Sequence, residues 1–417
     1  MSPSASKKSA RLPSIDHANE ETSCQDTEAL DICQERVHAQ PNNARHRFAL
    51  ALALNQKGHT AQALSEYRIA LQQQPDFAEA HCNLGLLLQE QGLPGAEEAL
   101  RRACELAPEN RHFATNLRLL MSGKAPMWHF SMMNDLPRAI AYETALQRAL
   151  RPDDHVLDIG TGSGLLSMMA ARAGAQRVTS CESVPEIATQ ARQIIATNGY
   201  SDHIEVIAQP SSNLKVPDDL PKRANLLVSE IFSSEVIGEG ALPSFEHARK
   251  HLLEPDARII PAQAWVVGQL AGAEALESYL RVGTIAGFDL KKFNEFSPVT
   301  VFPTEWRIDL EYQSDPFDIF DFNFQKDSEF PPQSSRLHIP VTRSGKCYGI
   351  LQWLRLRLYD DIFYENDPHD AGCTDHTAGH WRWALHTFPI PLNLHAGQRL
   401  EIHATHNRNQ LMFVVEN

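Results

Sequence analysis

Two glutamates, Glu230 and Glu239, lie nine residues apart in the segment SEIFSSEVIGEG, which directly follows the apolar run ANLLV. Carboxylates that meet at the end of a buried strand favour a cationic substrate, because each accepts hydrogen bonds from donors such as a guanidinium group. Either residue alone is equally typical of a solvated surface loop. The pair therefore predicts a clamp for a cation only where a second functional motif lies beside it.

A glycine-rich turn supplies that second motif. The run VLDIGTGSG ends an apolar strand, and Gly160, Gly162 and Gly164 let the backbone turn tightly and approach a ligand at the start of the following helix. Glu182 lies 24 residues after Asp158, at the end of the next predicted strand, where its carboxylate can accept hydrogen bonds from two ribose hydroxyls. The spacing is G-x-G-x-G and not the G-x-G-x-x-G of dinucleotide sites, so we favour S-adenosylmethionine over a dinucleotide or a purely structural turn.

The elements that must position these residues alternate between helix-like stretches and short apolar strands from about Pro137 to Pro261, which predicts a Rossmann-like domain with a parallel sheet. Beyond Pro261 the apolar residues recur with period two, as in WLRLRLY and QRLEIHA, which predicts antiparallel strands closed into a barrel. The predicted parallel strands are His155 to Ile159, Arg177 to Cys181, Ile204 to Ile207 and Asn225 to Val228.

A repeat precedes the predicted Rossmann-like domain. Pro41, Pro75 and Pro108 open similar segments at spacings of 34 and 33 residues, the period of tetratricopeptide helix pairs. Small residues such as Ala96, Ala99 and Ala103 fall where paired helices approach closely, and we assign them to helix packing in preference to a ligand groove. The predicted organisation is a disordered tail over 1–27, helical repeats over 28–121, a cofactor-binding domain over 122–261 and a barrel over 262–417.

Composition limits the partners of the chain. The 417 residues include 38 Lys and Arg against 52 Asp and Glu, a net charge of −14, which disfavours nucleic acid and suits a basic peptide. Seven scattered cysteines without a C-x-x-C pair indicate neither a disulfide framework nor a zinc ribbon. No apolar run is long enough for a membrane span and the start of the chain lacks the apolar stretch of a secretion signal, so we expect a cytoplasmic protein.

Four separated motifs resemble the protein arginine N-methyltransferases, in order and spacing, over about 126–417. They are MWHFSMMNDLPRAIAY, VLDIGTGSGLLSMMAARAGA, PKRANLLVSEIFSSEVIGEGALPSFEHA and GHWRWALHTF. The double-glutamate loop is similar to the monomethylating branch of that family, and the repeats resemble the branch that carries tetratricopeptide repeats. Both branches usually contain two tandem modules, whereas this chain has room for one.

The resemblance implies a role for individual residues around the cofactor. Arg138 would pair with the methionine carboxylate through its planar fork of donors. Asp158 and the three glycines would line the cofactor, and Glu182 would hold the ribose. Ser212 stands where many members place a glutamate near the adenine amine.

The resemblance also implies the acceptor site. Glu230 and Glu239 would clamp the guanidinium, and His380 would pair with Asp135 either to relay the released proton or as a purely structural tether. Substrate-pocket positions fall on His129, Met132 and Trp381.

The chain departs from the family pattern at three places. They are Gly123 in place of a tyrosine, Ser233 in place of an acidic residue and Ala241 in place of a methionine. The preferred sequence around the arginine and the number of methyl groups added therefore stay open.

The leading hypothesis is methyl transfer from S-adenosylmethionine to arginines of proteins that the repeats recruit. Because members of the family usually act as a dimer of modules and this chain has room for one, the resemblance further implies a homodimer, with an arm at 272–298 packing on the partner. An inactive cofactor-binding scaffold is the alternative, and a small-molecule methyltransferase is a third and weaker one. A zinc site is disfavoured because strand-like surroundings and the role of His380 argue against four converging ligands; its candidate ligands would be His369, Cys373, His376 and His380.

Overall fold

The structure is a computed structural model that describes residues 28–303, 308–369 and 381–416. The chain divides into two compact units, one up to Pro126 and one from Met127 onward. The division falls a few residues after the predicted end of the repeats. The predicted tail over 1–27 lies outside the described residues.

The first unit is built of paired helices whose small residues allow close approach. Gly85 shows how close, because a Cβ atom added there would lie 2.8 Å from Cγ of Leu100. Asn43 and Asn110 cap two of the helices by accepting hydrogen bonds from backbone amides, which satisfies donors that have no partner within the helix. The helices are α1 (Glu28–Ala39), α2 (Ala44–Gln56), α3 (Thr60–Gln73), α4 (Ala78–Glu90), α5 (Ala96–Leu106) and α6 (Arg111–Ser122).

The second unit begins with a five-stranded parallel sheet in the order β3-β2-β1-β4-β5. Its strands are β1 (His155–Ile159), β2 (Arg177–Cys181), β3 (Ile204–Ile207), β4 (Ala224–Ser229) and β5 (Leu253–Ile260). Its helices are α7 (Trp128–Asn134), α8 (Leu136–Ala149), α9 (Leu165–Arg172), α10 (Pro185–Thr197) and α11 (Ala241–His247). The strand order reverses between β1 and β4, and in sheets of this type a ligand binds at such a reversal, outside the carboxyl ends of the strands.

Two antiparallel sheets follow, as the period-two pattern predicts. A seven-stranded sheet has the central order β10-β6-β13-β15-β9, with β11 paired to β6 and β14 paired to β13, and a three-stranded sheet has the order β12-β16-β17. The strands of these two sheets are β6 (Gln263–Gly272), β9 (Thr300–Val301), β10 (Glu311–Tyr312), β11 (Phe317–Phe322), β12 (Gln333–Pro340), β13 (Gly345–Tyr359), β14 (Ile362–Glu365), β15 (Ala384–Leu394), β16 (Arg399–His406) and β17 (Leu411–Val415). Two short strands, β7 (Thr284–Ile285) and β8 (Phe288–Asp289), pair only with each other.

One hydrophobic core joins the parallel sheet to the antiparallel sheets. The same cluster of buried side chains contains Leu157 and Leu227 of the parallel sheet and Leu354 and Ile402 of the antiparallel sheets. Burying one continuous apolar surface holds the two layers as a single body. The carboxyl edge of the parallel sheet is therefore fixed in position against the antiparallel strands.

A segment with exposed apolar side chains follows α12 (Leu276–Leu280). It contains the two-stranded sheet of β7 and β8 and a short 3-10 helix, Lys291–Phe296. It falls within the arm expected over 272–298, and large apolar side chains on it are exposed. Among the described residues, none of the helices combines the length and the apolar character needed to cross a bilayer.

Candidate active site

The glycine turn and the first clamp glutamate follow two neighbouring strands at the same edge of the sheet. Ile159 ends β1 and pairs in register with Ser229 at the end of β4, and the Ser229 hydroxyl donates to the carbonyl oxygen of Ile159 over 2.8 Å. Gly160 and Glu230 are the next residues of each strand. The two motifs predicted from sequence are therefore brought together by strand pairing at the reversal of strand order.

The backbone of the glycine turn has the shape that glycine alone adopts readily. Gly160, Gly162 and Gly164 have φ angles of +87°, +53° and +83°. A Cβ atom at Gly160 would lie 2.5 Å from Cγ2 of Ile231. Gly164 is the residue before α9, so the first amides of that helix are presented at the turn.

Glu182 lies against the same turn. One carboxylate oxygen accepts from the amide of Gly162 over 3.1 Å, and the other accepts from the amide of Val184 over 2.9 Å. These bonds fix the carboxylate at the carboxyl end of β2, beside the turn. This is the position that recognition of ribose hydroxyls requires.

Asp158 is fully buried beneath the turn. The Ser167 hydroxyl donates to its Oδ2 over 2.5 Å, while its Oδ1 is buried with no hydrogen-bond partner in the part of the chain that the structure describes. Burial raises the pKa of Asp158 to about 6, and the Ser167 hydroxyl acts against that rise. A buried acceptor without a partner fits a bound group that carries donors.

Arg138 lies in the first turn of α8, a helix that Asp135 caps by accepting from the Arg138 amide over 3.0 Å. Its guanidinium donates from Nη1 to Oε2 of Glu230, and the two side chains are only 2% and 4% exposed. Burial alone would lower the pKa of Arg138, but the charge and hydrogen bond of Glu230 raise the pKa above its ordinary value. The Nε atom of Arg138 is buried with no hydrogen-bond partner among the described residues, which fits a further anion at this position.

The segment 230–240, which we call the clamp loop, is held in a tight conformation by its own residues. The Ser233 hydroxyl accepts from the amides of Glu235 and Gly238 over 3.2 and 3.0 Å. Val236 and Glu239 have φ angles of +67° and +58°, a left-handed conformation that costs free energy in residues other than glycine. The surrounding contacts must therefore fix the loop.

Strand β13 and the residues just before β15 supply those contacts. The Trp381 indole donates to the carbonyl oxygen of Phe232 over 2.8 Å, and the Gln352 amide donates to the carbonyl oxygen of Ser234 over 2.7 Å. The amide of Arg382 donates to the Ser234 hydroxyl over 3.1 Å. Both sheet layers of the unit therefore position the clamp loop.

Glu230 and Glu239 line one cavity of about 450 Å³. Glu239 is exposed at its wall, whereas the carboxylate of Glu230 is buried. Burial, followed by the negative charge of Glu230, raises the pKa of Glu239. The cavity therefore has two carboxylates that act on each other, next to the glycine turn. Other residues that line it are Trp128, Met132, Glu235, Phe302, Trp381 and Arg382.

Known proteins are similar to this chain in sequence over about two thirds of its length. An arginine N(omega)-methyltransferase from Streptomyces achromogenes subsp. streptozoticus is 37% identical over 282 residues, which cover 66% of this chain and 75% of that protein. The chain belongs to the arginine N-methyltransferase family. This assignment confirms the enzyme class and S-adenosylmethionine as the cofactor expected from the sequence.

Other relatives agree with the family. Protein arginine N-methyltransferase 7 of Drosophila melanogaster is 32% identical over 321 residues, 68% of this chain but only 46% of that protein. The chain thus spans about half the length of this relative. The family model of the ribosomal protein L11 methyltransferase (PrmA) matches residues 143–250, and a TPR repeat model matches 51–92.

Solved structures show the same fold. The Trypanosoma brucei PRMT1 enzyme-prozyme heterotetrameric complex with AdoHcy has a TM-score of 0.59 at 22% identity and covers 69% of this chain and 93% of its own. Protein arginine methyltransferase 10 of Arabidopsis thaliana has a TM-score of 0.55 at 17% identity, and the match covers 71% of this chain and 98% of the Arabidopsis chain. The predicted fold class, a Rossmann-like domain plus an antiparallel β-barrel domain after helical repeats, is confirmed, and the strands of the predicted barrel lie in two antiparallel sheets.

Asp135 has a partner that the sequence did not indicate. The Tyr364 hydroxyl of β14 donates to Oδ2 of Asp135 over 2.7 Å, and both side chains are buried. The predicted partner, His380, lies outside the described residues. The pairing of Asp135 with His380 therefore stays a prediction, whereas the link from Asp135 to the antiparallel sheet is made by Tyr364.

The remaining predicted residues fall at different places in this arginine methyltransferase. Met132 and Trp381 line the cavity, and the His129 ring stacks on Trp128, which also lines it. Ser212 is exposed and lines a second cavity of about 860 Å³ whose wall includes His247. The adenine contact of Ser212 stays a prediction from the resemblance.

Of the four candidate zinc ligands, only His369 lies within the described residues. His369 contacts Oε1 of Gln269 over 2.7 Å, and its ring lies edge-on to Tyr312. The other three candidate ligands, Cys373, His376 and His380, lie outside the described residues. Within the described residues no group of acidic, histidine and cysteine side chains has the arrangement of a metal site.

Proposed function

We propose that the chain transfers a methyl group from S-adenosylmethionine to a guanidinium nitrogen of arginines in protein substrates. The observation that carries the proposal is that Glu230 and Glu239 line one cavity beside the glycine turn. A guanidinium beside a sulfonium is repelled by about 4 kcal/mol at 4 Å and an effective dielectric of 20. Two carboxylates offset that repulsion.

The two glutamates contact the acceptor at different depths of the cavity. Glu239 meets the guanidinium at the exposed wall, and the buried Glu230 holds its inner edge, so that one nitrogen faces the glycine turn. When bound, S-adenosylmethionine supplies the electrophilic methyl group. Three residues would hold the cofactor: Arg138 through its free Nε, Asp158 through its free Oδ1 and Glu182 through the carboxylate at the turn. The proton released on methylation would pass to the predicted pair of His380 and Asp135, as the family resemblance implies.

Glutamine variants test the clamp. We expect Glu230→Gln and Glu239→Gln each to abolish transfer of labelled methyl groups to an arginine peptide, because the amide keeps the shape but removes the charge. S-adenosylhomocysteine should still bind, as calorimetry would show. Glu329→Gln, which changes an exposed glutamate outside both the cavity and the arm, is the matched control.

Full labelling by both clamp variants would refute the proposed chemistry. Cofactor binding without transfer to any acceptor in the wild type would favour the scaffold alternative.

Free arginine is a second candidate acceptor. The Streptomyces relative is described as acting on arginine, without the word protein. Arg382 and Glu235 also line the cavity, and their opposite charges suit the carboxylate and ammonium of a free amino acid. Comparing kcat/KM for L-arginine, agmatine and a blocked arginine separates the two, since only a free-arginine enzyme prefers the intact zwitterion.

We also propose a homodimer through the arm at 272–298. Phe288, Phe293 and Phe296 are 70%, 66% and 77% exposed, an apolar surface that is unfavourable in water. Light scattering of the wild type should give a dimer, and the double change Phe293→Ser, Phe296→Ser a monomer. Phe363→Ser, which alters an exposed phenylalanine outside the arm, should stay dimeric. A wild-type monomer with full activity would contradict the proposal.

Recruitment of protein substrates by the repeats and a cytoplasmic location stay predictions. The match of a TPR repeat model to 51–92 supports the first, because such repeats present extended surfaces to partners. Removal of 1–126 should then spare transfer to a short arginine peptide but slow transfer to a folded protein substrate. Equal slowing of both acceptors would point to a structural role for the repeats.

A further inference from the structure

Two residues that the family resemblance assigns to different ligands contact each other. Arg138 is the expected partner of the cofactor carboxylate, and Glu230 is the inner clamp for the acceptor, yet Nη1 of Arg138 donates to Oε2 of Glu230. The contact joins residues 92 positions apart, with both side chains buried. The cofactor subsite and the acceptor subsite therefore share one ion pair.

The environment of this pair makes its charge balance important. The Arg138 guanidinium centre lies 5.9 Å from the centre of the Tyr142 ring, and Tyr142 is fully buried. In such surroundings charges are screened weakly, so Arg138 cancels much of the field that Glu230 would exert on an entering guanidinium. It would also repel that guanidinium directly. Without a further anion, the cavity is a poor site for an arginine.

The free Nε of Arg138 indicates where the further anion belongs. It is buried and lacks a partner among the described residues, while Nη1 is already bonded to Glu230. A carboxylate at Nε would bond to Arg138 without displacing Glu230, because the guanidinium carries five donors. The added negative charge then offsets Arg138, and Glu230 regains its attraction for the acceptor.

We propose that Arg138 couples the two subsites, so that an arginine side chain binds well only when a carboxylate occupies the cofactor subsite. This inference rests on the proposed function and makes Arg138 a positioning residue for the clamp. It gives ordered binding, with the cofactor before the acceptor. By thermodynamic reciprocity the acceptor tightens the cofactor by the same factor.

Calorimetry on the full-length chain tests the coupling without catalysis. The acceptor probe is N-acetyl-L-arginine methylamide, titrated alone, with saturating S-adenosylhomocysteine, and with decarboxylated S-adenosylhomocysteine. The last two ligands differ only in the carboxylate, and neither carries a sulfonium. We expect S-adenosylhomocysteine to lower the Kd of the acceptor about tenfold or more. Decarboxylated S-adenosylhomocysteine should lower it less than threefold.

Two variants locate the coupling in the ion pair. Arg138→Gln, measured with cofactor analogues at saturation, should make acceptor binding indifferent to the carboxylate, because the positive charge that the carboxylate offsets is gone. Glu239→Gln should also weaken acceptor binding but keep the tenfold ratio, since Glu239 contributes its charge from the exposed wall.

The outcomes separate this inference from the proposed function. Failure of S-adenosylhomocysteine or of the acceptor to bind in any state would overturn both. Normal binding of S-adenosylhomocysteine with no change in the acceptor Kd would overturn only the coupling. Equal tightening by the two cofactor analogues, or a tenfold ratio preserved in Arg138→Gln, would likewise show that the carboxylate and Arg138 are not responsible.

Discussion

At the scale of single residues, Tyr364 connects the antiparallel sheet to the helix that carries Arg138. Its hydroxyl donates to Asp135, the Asp135 carboxylate caps α8 through the Arg138 amide, and the Arg138 guanidinium holds Glu230. The Tyr364 ring also packs 5.6 Å from Trp381, whose indole holds the clamp loop at Phe232. Tyr364 therefore supports the acceptor site from two directions without lining the cavity.

Tyr364→Phe removes one hydroxyl from this arrangement. A hydrogen bond to a buried charged group contributes about 2 kcal/mol, so we expect the free energy of unfolding to fall by about that amount. Methyl transfer should slow about tenfold as Arg138 and Glu230 lose their fixed positions. Urea denaturation and steady-state kinetics measure the two effects.

Tyr200→Phe, which removes a hydroxyl from a half-buried ring after α10, is the control. A Tyr364→Phe enzyme with wild-type kcat would show that the hydroxyl contributes to stability alone.

At the scale of elements, the shape of the clamp loop depends on Gly238. This residue has an ordinary backbone conformation, and glycine is required there because a side chain has no room. A Cβ atom at Gly238 would lie 2.4 Å from Cβ and 2.5 Å from the hydroxyl oxygen of Ser233, the group that fixes the loop. Glu239 follows directly, with its φ of +58°. A displacement at Gly238 is therefore passed to the second carboxylate.

Gly238→Ala should lower kcat/KM for the acceptor at least about tenfold, because small displacements of positioning groups cost large factors in rate. The Kd of S-adenosylhomocysteine should stay within about twofold of the wild-type value, since the glycine turn is a separate element. Gly123→Ala is the matched control, because a Cβ atom there meets nothing within 4 Å. Unchanged kcat/KM in Gly238→Ala would mean that the loop adapts without moving Glu239.

At the scale of the whole molecule, buried titratable groups link folding to pH. Burial lowers the pKa of His386 on β15 to about 4, from an unfolded value near 6.5. Between these values the unfolded chain binds a proton that the folded chain does not, so stability is lost as pH falls from about 6.5 toward 4. Asp158 acts in the opposite sense, because burial raises its pKa to about 6 and the folded state holds its proton there.

A comparison of variants separates the effect of His386 on the pH dependence of stability from that of Asp158. We expect wild-type protein to lose about 2 kcal/mol more stability than His386→Gln when the pH falls from 7 to 5. Guanidinium denaturation at the two pH values measures the difference. His338→Gln, a change to an exposed ring, should follow the wild type, and an identical pH response in all three proteins would contradict the prediction.

Much of the fold was predictable because its cause is local. Apolar strands between helices gave β1, β2 and β3 at their observed ends, and β4 within one residue at each end. The period-two runs lie in β13 and β16, where alternate side chains are buried. The glycine turn and the two clamp glutamates were found from residue type and spacing, since both follow strands whose carboxyl ends meet at one edge.

By itself, the sequence determined the strands, the turn, the acidic loop and the family, because periodicity and motif spacing are properties of short segments. The tertiary structure alone decided that Arg138 contacts Glu230 and that Tyr364 contacts Asp135, pairs separated by 92 and 229 residues. Such contacts depend on how the edges of two sheets pack around one core, and no periodicity records which side chains then meet. The link between the cofactor and acceptor subsites is of this second kind.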